Sequence, residues 1–151
     1  MQQLKPLNSR EIRNVMAIIK KQWGAEPKLD LVFLMNNRNK LYIVQKDAFD
    51  IDLEKLRIDS IGLYFGELIG RELRLSIEGS QLVGPHAKKN IVELDEKESR
   101  EWLHGYDVDI NDSYDGFVLV KSKKDFLGCG KFSNGKVLNY VPKARRLRSS
   151  D

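Results

Sequence analysis

Residues 126–143 read FLGCGKF, SNGK and VLNYVPK in succession, and they decide the fold of the C-terminal half. Asn134-Gly135 lies between two apolar runs, and this dipeptide favours a type I′ turn because both of its residues must adopt φ > 0. A β-hairpin is therefore predicted here. Gly128 and Gly130 flank Cys129 on its first strand, where missing side chains indicate a bulge or the close approach of another backbone or a ligand.

Charge is distributed unevenly around this hairpin. Residues 121–148 contain nine Lys or Arg and one Asp, whereas residues 93–115 contain nine Asp or Glu, one Lys and one Arg. A charge cluster is commonly only a solvated surface. Here the cations occupy and follow a strand hairpin, so nucleic acid is the favoured partner. The acidic segment is expected to repel it and restrict its orientation.

The 151-residue chain has 41% hydrophobic and 32% charged residues, the balance of a globular protein with one good core or two small ones. Its apolar runs are too short to span a bilayer and its first residues do not form a signal peptide, so a cytoplasmic protein without a membrane partner is predicted. One cysteine cannot form an internal disulfide, and Cys129, His86 and His104 do not have metal-ligand spacing. No metal and no cofactor are predicted.

The first eighty residues predict an α+β unit. Asn8 and Glu11 have the spacing of a capping box ahead of an amphipathic stripe that ends at Gly24. A helix followed by strands without further alternating helices favours an α+β layer. Strands are predicted over 29–35, 41–44, 58–65 and 71–78, and residues 48–56 are compatible with a short helix or an irregular connection.

The glycine-containing stretch 79–85 predicts a boundary between a unit at 1–80 and a second at 84–148. In the second unit, strands at 90–94, 107–110 and 116–121 accompany the hairpin. A capping box at Asp95–Glu98 opens one helix, which ends at Gly105. About five short strands with one inserted helix indicate a small β-barrel or closed sandwich.

Two groups of residues resemble known families. Residues 127–131 and 134–146 are similar to the C-terminal PUA-like module of RNA cytosine methyltransferases of the Nol/Nop/Sun (Fmu) type, with a Leu-Gly-x-Gly-Lys strand and a basic Tyr-Pro-Lys segment. Residues 60–67 and 84–90 extend the resemblance to Nip-type ribosome-biogenesis proteins. The resemblance implies an N-terminal α+β pre-PUA domain followed by a small PUA-like β-barrel that binds ribosomal or transfer RNA. It places Gly128, Gly130 and Lys131 on the glycine strand and Lys143, Arg145 and Arg146 in the basic segment.

Similarity to methyltransferases requires a test for catalytic chemistry. Cytosine methylation needs a cysteine thiolate and a glycine-rich cofactor loop between a strand and a helix. The only cysteine, Cys129, lies in the glycine strand, and Gly128-x-Gly130 continues into a strand. Cys129 is therefore predicted to be a structural thiol, and the chain to be a non-enzyme in which the methyltransferase catalytic domain is absent.

The resulting hypothesis is a non-catalytic RNA-binding protein that acts on rRNA or tRNA in ribosome biogenesis or RNA modification. Tyr140 can either stack on an unpaired base or pack within the protein, and Trp102 is predicted to be a core anchor. Gly128 and Gly130 would let RNA approach the backbone and offer amide donors. The expected phosphate contacts are Lys88, Lys89, Lys121, Lys123, Lys124, Lys131, Lys136, Lys143, Arg145 and Arg146.

Two alternatives stay open. The first is a protein–protein adaptor in ribosome assembly, in which the acidic segment is the interface and the cations serve solubility. The second is an RNA-binding accessory subunit of a separate RNA cytosine methyltransferase. Binding to heparin and crosslinking to RNA separate the adaptor from the RNA-binding hypotheses.

Overall fold

The computed structural model describes residues 4–45 and 62–148. In this part of the chain, ten strands form two five-stranded sheets and three α-helices pack with them. The α+β class is thereby confirmed. The segment predicted over 48–56 and the start of the strand predicted at 58 lie outside the described residues. No helix within 4–45 and 62–148 is long and apolar enough to cross a membrane.

The first sheet is antiparallel and follows the chain order. Its strands are β1 (Lys5–Pro6), β2 (Leu31–Met35), β3 (Lys40–Gln45), β4 (Leu63–Ile69) and β5 (Glu72–Leu75). Helix α1 (Ser9–Trp23) begins at the capping box of Asn8 and Glu11 and ends at Gly24, whose φ is +63°. The predicted helix and the predicted β2–β3 hairpin are both confirmed.

Residues 79–85, where a boundary between two units is predicted, are helical. Helix α2 (Ile77–Val83) begins directly after β5 and a 3-10 turn follows it, so the strand prediction through Glu78 was wrong. The glycines on which the boundary prediction depends are sites of close packing. A Cβ atom on Gly79 would lie 2.2 Å from the Phe65 carbonyl oxygen, and one on Gly84 would lie 2.4 Å from the Phe126 ring.

The second sheet has the strand order β6-β8-β9-β10-β7. Its strands are β6 (Ile91–Glu93), β7 (Val108–Asp109), β8 (Phe117–Ser122), β9 (Asp125–Ser133) and β10 (Lys136–Leu138). Among these described strands, only β6 and β8 pair in parallel. Helix α3 (Glu96–Leu103) is the predicted inserted helix, and it begins at the predicted capping box of Asp95 and Glu98. Within the described residues, β6 and β7 each pair with one neighbour, so hydrogen bonding gives an open sheet.

The predicted hairpin is formed by β9 and β10. Asn134 and Gly135 have φ angles of +49° and +78°, as a type I′ turn requires. The predicted bulge is also present, because Val120 pairs with Gly128 while the next residue on β8 pairs with Phe126. The chain leaves the sheet after Leu138, earlier than the apolar pattern suggests.

Strand β8 joins the two sheets through its side chains. Phe117 and Leu119 belong to a buried core that also contains residues of α1 and the first sheet. Val118 and Val120 point to a second core that contains Trp102. Alternate residues of a strand face opposite sides, so a continuous apolar run is buried on both faces. The indole nitrogen of Trp23 also donates to the Phe117 carbonyl at 3.1 Å.

Candidate nucleic-acid interface

A groove of about 460 Å³ lies between the first sheet and the C-terminal hairpin. Strands β3, β4 and β5 contribute residues to one part of its wall. Helix α2, strand β9 and the segment after β10 contribute the rest. Three cations, two tyrosines and one acid line it, namely Lys40, Arg74, Arg145, Tyr64, Tyr140 and Glu78. This combination can contact both phosphates and base rings.

Tyr140 both packs and is accessible. The Arg74 guanidinium lies 4.6 Å from the centre of the Tyr140 ring, and the ring centre of Phe117 lies 6.4 Å away. The residue is nevertheless 38% exposed. A guanidinium that stacks on a tyrosine also presents its own plane and N–H groups to a nucleotide. Tyr140 therefore packs within the protein and leaves part of its side chain accessible, and its stacking on a base stays a prediction.

Tyr64 is a second aromatic group in the groove. The Lys40 ammonium lies 5.9 Å from the centre of its ring. Burial first, and the nearby Glu67 carboxylate second, raise the pKa of the Tyr64 phenol above its ordinary value. The phenol therefore stays protonated at neutral pH and can donate a hydrogen bond.

Arg145 closes the groove at its C-terminal side. Its guanidinium forms an ion pair with Glu78 of α2, and about half of its side chain is exposed. The 3-10 segment Lys143–Arg145 is in this way held against the start of α2. Because a guanidinium has five N–H donors, Arg145 can pair with Glu78 and still contact a phosphate.

Four of the predicted site residues lie in or near the groove. Gly128, Tyr140 and Arg145 line it. Lys131 is adjacent, because its ammonium lies 5.4 Å from the centre of the Phe117 ring that contacts Tyr140. Within the described residues, the structure thus brings together one part of the predicted site.

Other predicted cations are dispersed. Lys88 and Lys89 lie beside the end of α1, where both of their backbone N–H groups donate to the Trp23 carbonyl. Lys123 and Lys124 form the β8–β9 turn, whereas Lys136 starts β10. The nine residues of β9 separate these two turns by roughly 30 Å. Lys143 is exposed in the 3-10 segment. The late cations therefore do not form one continuous surface.

The acidic segment is not a separate face either. Lys121 lies 4.0 Å from Glu93, and Lys136 lies 3.9 Å from Asp109, measured between ammonium nitrogen and carboxylate oxygen. The strand pairing brings these oppositely charged segments side by side, since β6 neighbours β8 and β7 neighbours β10. These two predicted phosphate contacts are thereby partly neutralised, as Arg145 is by Glu78 and Arg74 is by Glu67 at 3.8 Å.

Gly130 and Arg146 have structural roles. Gly130 is buried, and a Cβ atom there would lie 2.5 Å from a Val137 methyl carbon and 2.7 Å from the Trp102 ring. Its missing side chain makes room for Trp102, which is the predicted core anchor. RNA cannot reach the Gly130 backbone as expected, because these side chains cover it. Arg146 donates its Nε hydrogen to the Val141 carbonyl and packs over Gly105.

Cys129 is a buried structural thiol, as predicted. Burial raises the pKa of this thiol to about 12. A thiol of this pKa is almost fully protonated at neutral pH and is a poor nucleophile. In residues 4–45 and 62–148, no three His, Cys, Asp or Glu side chains are arranged to hold a metal ion.

The folded chain is therefore expected to resist thiol labelling. At about pH 8, dithionitrobenzoate should leave Cys129 unmodified over a time in which the urea-unfolded chain is labelled completely, because only the unfolded thiol has an ordinary pKa. Absorbance of the released thionitrobenzoate measures the reaction. Rapid stoichiometric labelling of the folded chain would contradict the burial of this thiol.

Lys40, Tyr64, Arg74 and Glu78 were not predicted as site residues. They lie between residues 40 and 78, and the packing of α2 and β5 beside β9 brings them to the hairpin. One signal was available in the sequence. Arg74 occupies the polar side of an alternating strand, but such a residue is usually only solvated.

Comparisons with known proteins relate the chain to RNA methyltransferases. Residues 89–147 match the family model described as the methyltransferase RsmF PUA domain. The chain is 29% identical to the ribosomal RNA small subunit methyltransferase F of Aeromonas salmonicida and 30% identical to that of Aeromonas hydrophila, each over 139 residues. The protein of the same name from Vibrio vulnificus (strain YJ016) is 26% identical over 97 residues, which are 64% of this chain and 21% of that protein.

The predicted PUA-like module of the Sun/Fmu type is thus confirmed for the C-terminal part of the chain. The similarity to the Aeromonas proteins covers 91% of this chain, so it extends from the module into the first sheet. The chain spans only 28% of the length of these two relatives.

Proposed function

We propose that this chain binds small-subunit ribosomal RNA through the groove between its two sheets, in support of rRNA methylation. The observation that carries the proposal is the convergence of three cations and two tyrosines in one cavity of about 460 Å³. Ligand pockets commonly have volumes of roughly 300–1,000 Å³, so the groove has room for an unpaired nucleotide. The RNA class is taken from the names of the relatives, which are small-subunit ribosomal RNA methyltransferases.

The proposed mode of binding combines charge and stacking. Arg74, Arg145 and Lys40 would contact phosphates, and Tyr64 and Tyr140 would contact base rings. Stacking of a base on an aromatic side chain is tolerant of sequence, whereas the placement of the cations fixes the path of the backbone. A single-stranded or looped RNA segment suits this surface better than a duplex, because its bases are free to enter the groove.

The proposed role is RNA binding rather than methyl transfer by the described residues. Cys129 is the only thiol in the sequence, and its burial and raised pKa make it unsuited to attack a pyrimidine ring. The adaptor alternative has less support, because Glu93 and Asp109 of the acidic segment are ion-paired with lysines of the chain itself.

Photocrosslinking tests the proposal. Small-subunit rRNA fragments that contain 4-thiouridine should crosslink to peptides that carry Tyr64 and Tyr140, as read by mass spectrometry. Tyr106 is the matched control, because it is 65% exposed but does not line the groove. Crosslinks that follow exposure, with Tyr106 ahead of Tyr140, would contradict binding in the groove.

A further inference from the structure

One carboxylate lies among the cations of the groove. Glu78, in the first turn of α2, is the one acidic residue among the described residues that line the groove. Its side chain is 29% exposed, and its Oε1 atom contacts the Arg145 guanidinium. A carboxylate repels a phosphate, so Glu78 opposes part of the attraction that the cations of the groove exert on a nucleic-acid backbone.

This carboxylate retains acceptor capacity for a ligand. Within the described part of the chain, the ion pair with Arg145 uses Oε1, which leaves Oε2 to accept from a bound molecule. An ionised carboxylate can only accept hydrogen bonds, so a ligand group that contacts it must be a donor. The phosphates and sugars of DNA offer no donor along the strand, whereas each ribose of RNA has a 2′-hydroxyl that can donate.

Other residues of the groove are less suited to distinguish RNA from DNA. Stacking on Tyr64 or Tyr140 and pairing of a cation with a phosphate do not depend on the sugar. Ser76 also lines the groove. Its hydroxyl already donates to the Tyr64 carbonyl at 2.7 Å and accepts the backbone N–H of Gly79 at 2.9 Å. Glu78 is thus the better placed acceptor for a sugar hydroxyl.

We infer that Glu78 accepts a hydrogen bond from a ribose 2′-hydroxyl and thereby selects RNA over DNA. The inference rests on the proposed function, because it requires a nucleic-acid strand in the groove. Arg145 would contact a phosphate while its ion pair holds the carboxylate near the neighbouring sugar. The negative charge of Glu78 weakens the binding of any strand, and the hydrogen bond compensates for this only in RNA. Glu78 would therefore be a specificity-determining residue.

Three pentanucleotides with the same base test the need for a donor. In fluorescence anisotropy, the unmodified chain should bind pentauridylate about tenfold more tightly than pentadeoxyuridylate, as expected for one hydrogen bond to a charged group. The 2′-fluoro analogue keeps the pucker of ribose but cannot donate, so it should bind as weakly as the deoxy strand. Equal affinity for the ribose and 2′-fluoro strands would overturn the inference and leave the proposed function standing.

Two alanine variants identify the residue responsible. Glu78→Ala should bind the ribose and deoxyribose strands with nearly equal affinity, and it should bind the deoxy strand more tightly than the unmodified chain does, because the repulsion is removed. Glu93→Ala is the matched control, since Glu93 is also ion-paired, with Lys121, but lies outside the groove lining. This control should keep the preference for ribose.

The outcomes separate the inference from the proposed function. The comparison with the 2′-fluoro strand uses the unmodified chain, so it does not depend on the folding of a variant. An unchanged preference for ribose in Glu78→Ala would overturn the inference alone. Failure of the unmodified chain to bind any of the three strands would overturn both the inference and the proposed function.

Discussion

A chain in which Trp23 is replaced by alanine is expected to lose about 3–5 kcal/mol of unfolding free energy and to unfold both sheets together. Trp23 is fully buried in a core that includes residues from α1, the first sheet and β8. Its carbonyl accepts hydrogen bonds from the backbone of Lys88 at 2.7 Å and of Lys89 at 3.3 Å. Its removal leaves a cavity where the predicted units at 1–80 and 84–148 meet. Urea unfolding followed by far-UV circular dichroism and by the fluorescence of Trp102 measures the effect.

Trp23→Phe is the matched control for this prediction. It keeps most of the buried ring and loses mainly the hydrogen bond to the Phe117 carbonyl, so its cost should be clearly smaller. We propose that the two units share one cooperative transition, because their cores are joined through β8. Independent domains would give two separate transitions in Trp23→Ala. The fluorescence of Trp102 would then change at the urea concentration at which the unmodified chain unfolds, whereas the circular dichroism would already change at a lower urea concentration.

The elements predicted correctly from the sequence depend on neighbouring residues. The capping box of Asn8 and Glu11 and the turn at Asn134-Gly135 are set by hydrogen bonds and φ angles within four residues. Such signals do not require knowledge of the tertiary structure. The bulge beside Gly128 belongs to the same class, because the loss of a side chain permits it locally.

The errors arose where distant segments decide the outcome. Gly79 and Gly84 are indistinguishable in the sequence from turn glycines, but they are required because Phe65 and Phe126 lie against them. The cations of residues 121–148 are close in sequence, yet β9 places Lys124 and Lys136 at its opposite ends. Arg74 joins Tyr140 only after the first sheet packs beside the hairpin.

Replacement of both Arg74 and Arg145 by alanine is expected to weaken binding of a small-subunit rRNA fragment by about a hundredfold, because each arginine loses a hydrogen bond to a charged phosphate. The Arg74 guanidinium also packs on the Tyr140 ring. Its loss should therefore remove a contact that positions the ring proposed to stack on a base. The fold should persist, since the Arg145–Glu78 pair is partly exposed and such pairs contribute little to stability. Fluorescence anisotropy with labelled RNA measures the affinity, and thermal unfolding checks the fold.

The control variant is Lys123→Ala with Lys124→Ala, in the β8–β9 turn outside the groove lining. Both double variants lower the formal net charge from +4 by two, to +2, so long-range attraction is matched. A loss of affinity that is equal in the two variants would indicate that net charge alone governs binding.

The salt dependence of RNA binding by these two double variants tests the central claim most directly. If the groove holds single-stranded RNA, Arg74→Ala with Arg145→Ala should reduce the slope of log affinity against log salt by about 1.4, which corresponds to two phosphate contacts. The lysine variant should keep the slope of the unmodified chain. A reduced slope in the lysine variant, with the slope of the arginine variant unchanged, would place the RNA elsewhere on the molecule.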